Sequence, residues 1–440
     1  MKDRNEFLKK LYSQAGIVDL NEMQKSTIKA STESDEIMLF SPTGSGKTLA
    51  FLLSLAQKLT KGKGVQSIIL SPSRELALQI EAVFKSLKSE FHVVSCFGGH
   101  AFSVEKNNLK ADVDLIVGTP GRLRDHMEKG TFDYSDVEML VLDEFDKSLE
   151  LGFQKDMQWI ISSLYHLEFK MLVSATKMEE IPQFTGISKP KVIDFLEDES
   201  KIKISQKAIY SKPEEKSEDL LKLLLSVEQG RTLVFCNHKQ AVDRLSDFLK
   251  DHLVPHDVYH GDRDQESREK ALIKLRNGSI NLLVVTDLAA RGLDIPEIKH
   301  VMHYQLPVKE DAYIHRNGRT ARMTAEGTSY LMLTEGDIPK YVKRDVERVD
   351  LDEVDLKTQY PLPEWVSIFV GRGKKDKVNK IDLVGFFCQQ GGVEKASLGK
   401  IDVLDFISVV ALKRGEEKTL LKNLKGKKIK KKPVRVGMIR

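Results

Sequence analysis

Residues 41–48 read Ser-Pro-Thr-Gly-Ser-Gly-Lys-Thr, between an apolar strand, Ile37-Met38-Leu39-Phe40, and a helical stretch, Thr48 to Leu59. No other feature restricts the fold as much. Gly44 and Gly46 allow the backbone to curl so that its N–H groups face phosphate oxygens. Lys47 has the reach for β and γ phosphates, and the Thr48 hydroxyl suits a Mg²⁺ ligand. A second apolar strand, Met139 to Leu142, ends in Asp143-Glu144. Asp143 is placed to hold the metal and Glu144 to polarise a water for attack on the γ phosphate. A glycine-rich loop alone also fits an ordinary turn. A strand–loop–helix context followed by a strand ending in Asp-Glu points to a nucleoside triphosphate site.

The rest of the chain repeats this plan. Candidate strands are Ser67–Leu70, Val93–Cys96, Leu115–Val117, Met139–Leu142 and Met171–Val173, with helices at Glu75–Ser86 and Phe153–Ser163. Strands alternating with helices imply a parallel sheet covered on both faces. The pattern loosens near Pro190 to Ser205, and a second series follows. Its strands are Thr232–Cys236, Leu282–Val285, Val301–Tyr304 and Thr328–Leu333, with helices near Gln240–Lys250 and Glu266–Leu275. A third unit begins after Pro361 and Pro363. At 440 residues there is room for about three domains. The expected organisation is residues 1–205, 206–355 and 364–440. The expected fold class is α/β: two tandem parallel-sheet domains, then a small α+β domain.

Composition excludes several classes. Hydrophobic content of 41% and charged content of 30% describe an ordinary globular chain. No apolar run reaches 18 residues, so no membrane span is expected. The N-terminus lacks the apolar core of a secretory signal. Cys96, Cys236 and Cys388 are far apart and show no CxxC spacing, so no disulfide partner is expected, and a reducing cytoplasm fits. The net charge of +4 is unevenly spread: residues 413–440 hold twelve Lys/Arg against two Glu, a net of +10. Such asymmetry is a footprint of a nucleic-acid-binding end. A solvated basic tail is the plainer alternative.

In the second series, residues 315–322 read His-Arg-Asn-Gly-Arg-Thr-Ala-Arg. Arginines so dense beside glycine suit phosphate contact, because guanidinium groups fork onto phosphate oxygens. With this segment the set resembles the DEAD-box ATP-dependent RNA helicases of superfamily two, over roughly residues 10–345. Gly16 to Gln24 resembles the adenine-reading Q motif and Ser41–Thr48 motif I. Pro72-Ser73-Arg74-Glu75-Leu76 resembles motif Ia, and Gly98-Gly99 the glycine pair. Thr119-Pro120-Gly121-Arg122 resembles motif Ib, Asp143–Asp146 motif II and Ser174-Ala175-Thr176 motif III. Val234–Asn237 resembles motif IV, Gln265 with Arg268 the QxxR pair, Thr286 through Asp294 motif V, and His315–Arg322 motif VI.

The resemblance implies that the two parallel-sheet domains are RecA-like, and it implies roles. Gln24 would read adenine. Ser41, Pro42, Thr43, Gly44, Ser45, Gly46, Lys47 and Thr48 would hold the ATP phosphates. Thr48 and Asp143 would hold Mg²⁺, Glu144 would be the base, and Asp294 would contact the ribose. Arg319 and Arg322 would contact the γ phosphate on domain closure. Pro72, Arg74, Gly99, Thr119, Pro120, Gly121, Arg122, Gln265, Arg268, Thr286 and Gly292 would line an RNA backbone track. Three departures stand out: Phe145 replaces Ala of the family's name motif, Asn317 stands where an apolar residue is usual, and the Q-motif prolines are missing.

The C-terminal unit reads as a strand at Val366–Gly371, helical spacing at Ile381, Val384 and Phe387, and a further strand within Leu404–Leu412. A helix at Thr419–Leu424 and alternation at Val434, Val436 and Met438 complete it. This β-α-β-β-α-β order is that of an RNA-recognition module, and the stretch resembles the C-terminal RNA-binding domain of DbpA-type helicases, which dock on large-subunit ribosomal RNA. Its third strand, taken as Phe406–Val410, lacks the usual aromatic pair, so Arg372, Lys374, Lys375 and Lys377 and the run Lys425–Lys432 carry the expected binding. The expected function is an ATP-dependent RNA helicase remodelling ribosomal RNA in pre-ribosomal particles. A second reading is an RNA-binding assembly clamp whose slow ATPase times its release.

Overall fold

Runs such as Ile68-Ile69-Leu70 are apolar at every position, so strands made of them must be covered on both faces. The computed structural model describes residues 2–99, 101–178, 180–196, 204–287, 298–320, 327–343, 345–353 and 358–439, and bears this out. The first sheet contains β1 (Glu36–Phe40), β2 (Ser67–Leu70), β3 (Val93–Cys96), β4 (Leu115–Gly118), β5 (Met139–Leu142), β6 (Phe169–Ser174) and β7 (Lys191–Asp194). Their order is β3-β4-β2-β5-β6-β1-β7, and every pair is parallel. Alternation along β1 divides the core. Ile37 and Leu39 pack with the helices Lys47–Ala56 and Arg74–Ser86. Met38 and Phe40 pack with Pro120–Glu128 and Gln154–Ser163 on the other face. Each large aliphatic side chain buried this way contributes about 1.5–3 kcal/mol.

The chain divides into two compact units, the break falling between β7 and β8. The second unit opens with another parallel sheet. Its strands are β8 (Ile204–Tyr210), β9 (Arg231–Cys236), β10 (Asp257–Tyr259), β11 (Leu282–Thr286), β12 (Ile298–His303), β13 (Gly327–Leu333) and β14 (Glu347–Arg348). The order is β10-β11-β9-β12-β13-β8-β14. The same unit carries a small antiparallel sheet of β15 (Trp365–Val370), β16 (Leu398–Val403), β17 (Ser408–Lys413) and, after a short hairpin of β18 (Lys428–Ile429) and β19 (Lys432–Pro433), β20 (Val436–Met438). Its order is β16-β17-β15-β20. The helices Lys380–Gly385 and Glu417–Leu424 cover one face, with Ile368, Leu383, Phe387, Val410 and Leu420 in the core.

One strand of this small sheet needs correction. The third strand is Ser408–Lys413, not Phe406–Val410. Phe406 lies in the turn before it and is exposed, because the chain reverses at residues 404–407, where Leu404 N–H donates to Ile407 O at 2.8 Å and Leu404 O accepts from Lys374 N–H at 2.8 Å. On β15, Ser367 faces away from the helices, yet it is buried. Its hydroxyl accepts from Asn277 Nδ2 at 2.8 Å and lies 2.7 Å from Ser279 Oγ. Beside it, Trp365 is wedged between two glycines. A Cβ would come within 3.2 Å of its ring at Gly278 and within 3.0 Å at Gly399. The small sheet thus seats its open face on the turn that follows the helix Gln265–Arg276.

The sequence departure at Asn317 has a structural cause. Its Oδ1 accepts from the Ser329 hydroxyl at 2.7 Å and lies 3.0 Å from His303 Nε2, all three residues being buried. An apolar residue there would strand two polar groups. Burial, aided by the nearby Arg316 charge and opposed by the Asn317 hydrogen bond, pushes the His303 imidazole down to about 3. We predict that Asn317→Leu destabilises this sheet by about 1–3 kcal/mol, measured by urea unfolding with hydrogen exchange on β12 and β13. The folded-state value lies below the ordinary imidazole value of 6.5. The unfolded chain therefore takes up the proton first, and the stability of this sheet declines as pH falls through 6.5 towards 3. A flat stability profile over that window would contradict the neutral, buried assignment.

Candidate nucleotide and nucleic-acid sites

Because β1, β6 and β5 are parallel neighbours, the segments leaving their C-terminal ends share one edge of the sheet. Those segments are 41–48, 174–176 and 143–146. In the first, Gly44 and Gly46 take φ of 87° and 90°, the left-handed region that favours glycine. The helix Lys47–Ala56 begins directly after Gly46, so its N-terminal N–H groups and dipole face the loop. Lys47 Nζ donates to Ser41 O at 2.6 Å and Pro42 O at 2.8 Å, and Ser41 Oγ donates to Ser45 Oγ at 2.7 Å. Thr48 lies in the first helical turn.

Asp143 and Glu144 are both buried at the end of β5. Burial, with Glu144 beside it, pushes the Asp143 carboxyl up to about 7, against the opposing pull of the Lys47 ammonium. A desolvated pair of carboxylates of this kind suits a divalent cation. Glu144 takes φ 43°, ψ 51°, a strained conformation for a residue with a Cβ. Asp146 accepts from Thr176 Oγ1 at 2.7 Å, which ties the end of β5 to the end of β6. Phe145 is fully buried in the core with Met157 and Ile160, its ring 6.2 Å from that of Phe184. It therefore points beneath the loop and leaves the carboxylates clear.

Gln24 reaches the same loop from the helix Glu22–Glu33. It forms a capping box with Asn21: Gln24 N–H donates to Asn21 Oδ1, and Asn21 N–H to Gln24 Oε1. Its Nε2 donates to Gly46 O at 3.3 Å, and Asn21 Nδ2 donates to Ser45 O at 2.9 Å. A Cβ at Gly46 would collide with the Gln24 amide. Reading adenine requires this amide to exchange partners. Asn21, which the sequence reading passed over, braces the loop; the capping-box spacing was its signal.

The candidate RNA residues of the first unit leave the other half of the sheet, β2, β4 and β3. Pro72 follows β2, and Arg74 begins a helix with its guanidinium 4.8 Å over the Phe97 ring. Gly99 takes φ 98°, and a Cβ there would approach Arg74 Nη1 to 3.1 Å. Thr119 caps the helix Pro120–Glu128, its N–H donating to Cys96 O at 3.0 Å; Gly121 and Arg122 lie in that helix's first turn. Arg122 Nε donates to Glu105 Oε2 at 2.5 Å.

In the second unit, Arg268 Nη2 donates to Gln265 Oε1 at 2.6 Å, and Thr286 ends β11. Arg319 is buried after the helix Glu310–Asn317. Arg316, which the sequence reading did not single out, is the hub of this unit. Its guanidinium donates to Asp287 Oδ2 at 2.8 Å, Asn237 Oδ1 at 2.7 Å and Gln305 O at 2.5 Å. Its place within residues 315–322 was the available signal. Gly292, Asp294 and Arg322 lie outside the described residues. In the small sheet, Lys374, Lys375 and Lys377 are exposed. Arg372 donates to Pro433 O at 2.9 Å and Asp376 Oδ1 at 2.8 Å, clamping its own loop. Among the described residues no helix is long and apolar enough to cross a membrane.

Comparison with known proteins agrees with this geometry. Residues 21–184 match the DEAD/DEAH box helicase family, residues 215–324 the helicase conserved C-terminal domain, and residues 367–437 the DbpA RNA-binding domain. The chain is 30% identical to the ATP-dependent RNA helicase DbpA of Bacillus subtilis (strain 168), over 96% of this chain and 95% of that protein. It is 29% identical to DbpA of Escherichia coli (strain K12), over 97% and 96%. Similar solved structures include S. cerevisiae Dbp5 bound to RNA and ADP BeF3, with TM-score 0.69 and 25% identity over 79% of this chain and 94% of that one. Another is Mss116p bound to ssRNA and AMP-PNP, with TM-score 0.65 and 28% identity over 75% and 72%.

Phe145→Ala should empty a core position and destabilise the first sheet domain by about 3–5 kcal/mol. Urea unfolding measures this. A loss under about 1 kcal/mol would mean that the ring does not fill the core.

Proposed function

Because the chain belongs to the DEAD/DEAH box helicases and ends in a DbpA RNA-binding domain, we propose that it remodels structured ribosomal RNA during large-subunit assembly in the cytoplasm. The chain is an RNA-dependent ATPase and RNA helicase. The observation that best supports the assignment of its chemistry is the meeting of Lys47, Asp143, Glu144 and the Asp146–Thr176 bond along one sheet edge.

In this reading Lys47 leaves the carbonyls of Ser41 and Pro42 for the β and γ phosphates of ATP. Thr48 and Asp143 hold Mg²⁺, which supplies charge neutralisation at the phosphates. Glu144 takes the proton of the attacking water, and the raised Asp143 value reflects chiefly its burial, with the Glu144 charge adding to it. The family resemblance is what assigns Arg319 and Arg322 to the γ phosphate in this reading. Residues 72–74, 98–99 and 119–122 grip an RNA backbone. They leave the same edge of the sheet as the phosphate loop. Lys374, Lys375, Lys377 and the run Lys425–Lys432 direct the enzyme to ribosomal RNA.

Lys47→Ala should abolish ATP turnover while the fold persists, and Glu144→Gln should retain ATP binding but hydrolyse at least about a hundredfold more slowly. Single-turnover hydrolysis and a fluorescent nucleotide titration distinguish the two. Near-normal turnover in either variant would remove that residue from its role. The target is tested by replacing Lys374, Lys375 and Lys377 together with Ala. ATPase activation by ribosomal RNA should then fall towards that by a homopolymer. The plot of log affinity against log salt should flatten by roughly 2, from about 0.7 per lost phosphate contact. An unchanged preference for ribosomal RNA would refute the targeting role of these lysines.

A further inference from the structure

We propose that Glu105 is a positioning residue of the RNA face: its buried carboxylate locks the Gly98-Gly99 turn and the Thr119–Arg122 segment into one preset surface. The proposal rests on the reading of those two segments as RNA contacts. Glu105 lies on the short helix Phe102–Asn108, between them in sequence, and is only 1% exposed. Its two oxygens serve different partners. Oε1 accepts the backbone N–H of Phe97, the residue before the glycine pair, at 2.7 Å. Oε2 accepts from Arg122 Nε at 2.5 Å and lies 2.7 Å from His126 Nε2. His126 is itself buried, and its Nδ1 meets Thr131 Oγ1 at 2.9 Å.

An acidic side chain so deeply buried is costly unless its oxygens are satisfied by directional donors, and here both are. Burial opposes ionisation, but hydrogen bonds from His126, Phe97 N–H and Arg122 outweigh it and hold the carboxyl below the usual range. Cys96 Sγ, a Glu105 oxygen and a His126 nitrogen lie within 4.8 Å of one another. Arg122 already supplies the cation for that carboxylate, so the cluster is a hydrogen-bonded hub and not a metal site. Aromatic contacts extend it. Phe102 stacks on His126 with ring centroids 4.1 Å apart and carries Arg122 at 4.8 Å, while Arg74 sits over Phe97. The segments after β2, β3 and β4 thus reach RNA already ordered, which lowers the ordering cost of binding.

The test is RNA-stimulated ATPase in the full chain. Glu105→Gln keeps an acceptor for Phe97 N–H but turns an amide towards Arg122. It should raise the RNA concentration for half-maximal activation by about tenfold. At saturating RNA, kcat and the KM for ATP should stay within about twofold of wild type. Glu105→Ala should raise that concentration further; if it fails to fold, Glu105→Gln decides. Added to Arg122→Ala, Glu105→Gln should cost less than about twofold more, since its effect passes through Arg122. An unchanged half-activating concentration in Glu105→Gln, a fall in kcat alone, or full additivity with Arg122→Ala would each overturn the proposal. If RNA fails to bind the first unit's segments at all, Arg122→Ala alone will leave activation unchanged. That result sinks the underlying reading, whereas an effect of Arg122→Ala without one of Glu105→Gln sinks only the role of Glu105.

Discussion

Parallel pairing of β5, β6 and β1 is the constraint on which the nucleotide site depends. Parallel strands bring all their C-terminal ends to one edge, so three segments distant in sequence meet there without a long loop. The same sheet continues through β2, β4 and β3, whose ends carry the candidate RNA contacts. β5 stands between the two halves, paired to β2 on one side and β6 on the other. A shift of one residue in that register would turn Asp143 from the edge into the core.

Buried polar groups hold each of the two units in shape. Arg316 joins Asp287, Asn237 and Gln305; Glu105 joins Arg122, His126 and Phe97; Asn317 joins His303 and Ser329. Each group would be expensive alone, so each network is cooperative: removing one member strands the rest. Such networks define a single arrangement more than they add stability, which suits surfaces that must present charges at fixed positions. The small C-terminal sheet follows the same logic. Its open face is sealed by Ser367, Asn277 and Ser279, with Trp365 fitted between two glycines, and its exposed lysines stand on the loops.

Much of this was legible in the sequence. The strands Ser67–Leu70 and Met139–Leu142 stand where the apolar runs put them, because buried strands carry a strong apolar signal, and Val93–Cys96 stands where it was expected as a half-buried edge strand. The phosphate loop was legible because its two glycines, lysine and threonine are each demanded by a local geometry. Less was legible in the small sheet. The reading began its third strand at Phe406, since an aromatic beside Ile407 resembles a strand. The hairpin turn that exposes Phe406 is fixed by contacts from residues 373–375.

The sequence by itself determined the order of strands and helices, the loop chemistry and the charge of the C-terminal end, because these depend on residues near one another in the chain. Tertiary structure alone decided which side chains became partners. Phe145 turned out to fill the core, Gln24 to brace the phosphate loop, Arg372 to clamp its own loop, and Glu105 to join two segments. Nothing in the local sequence distinguishes an exposed glutamate from a buried one. Only packing removes water from a carboxylate and makes its choice of partners matter.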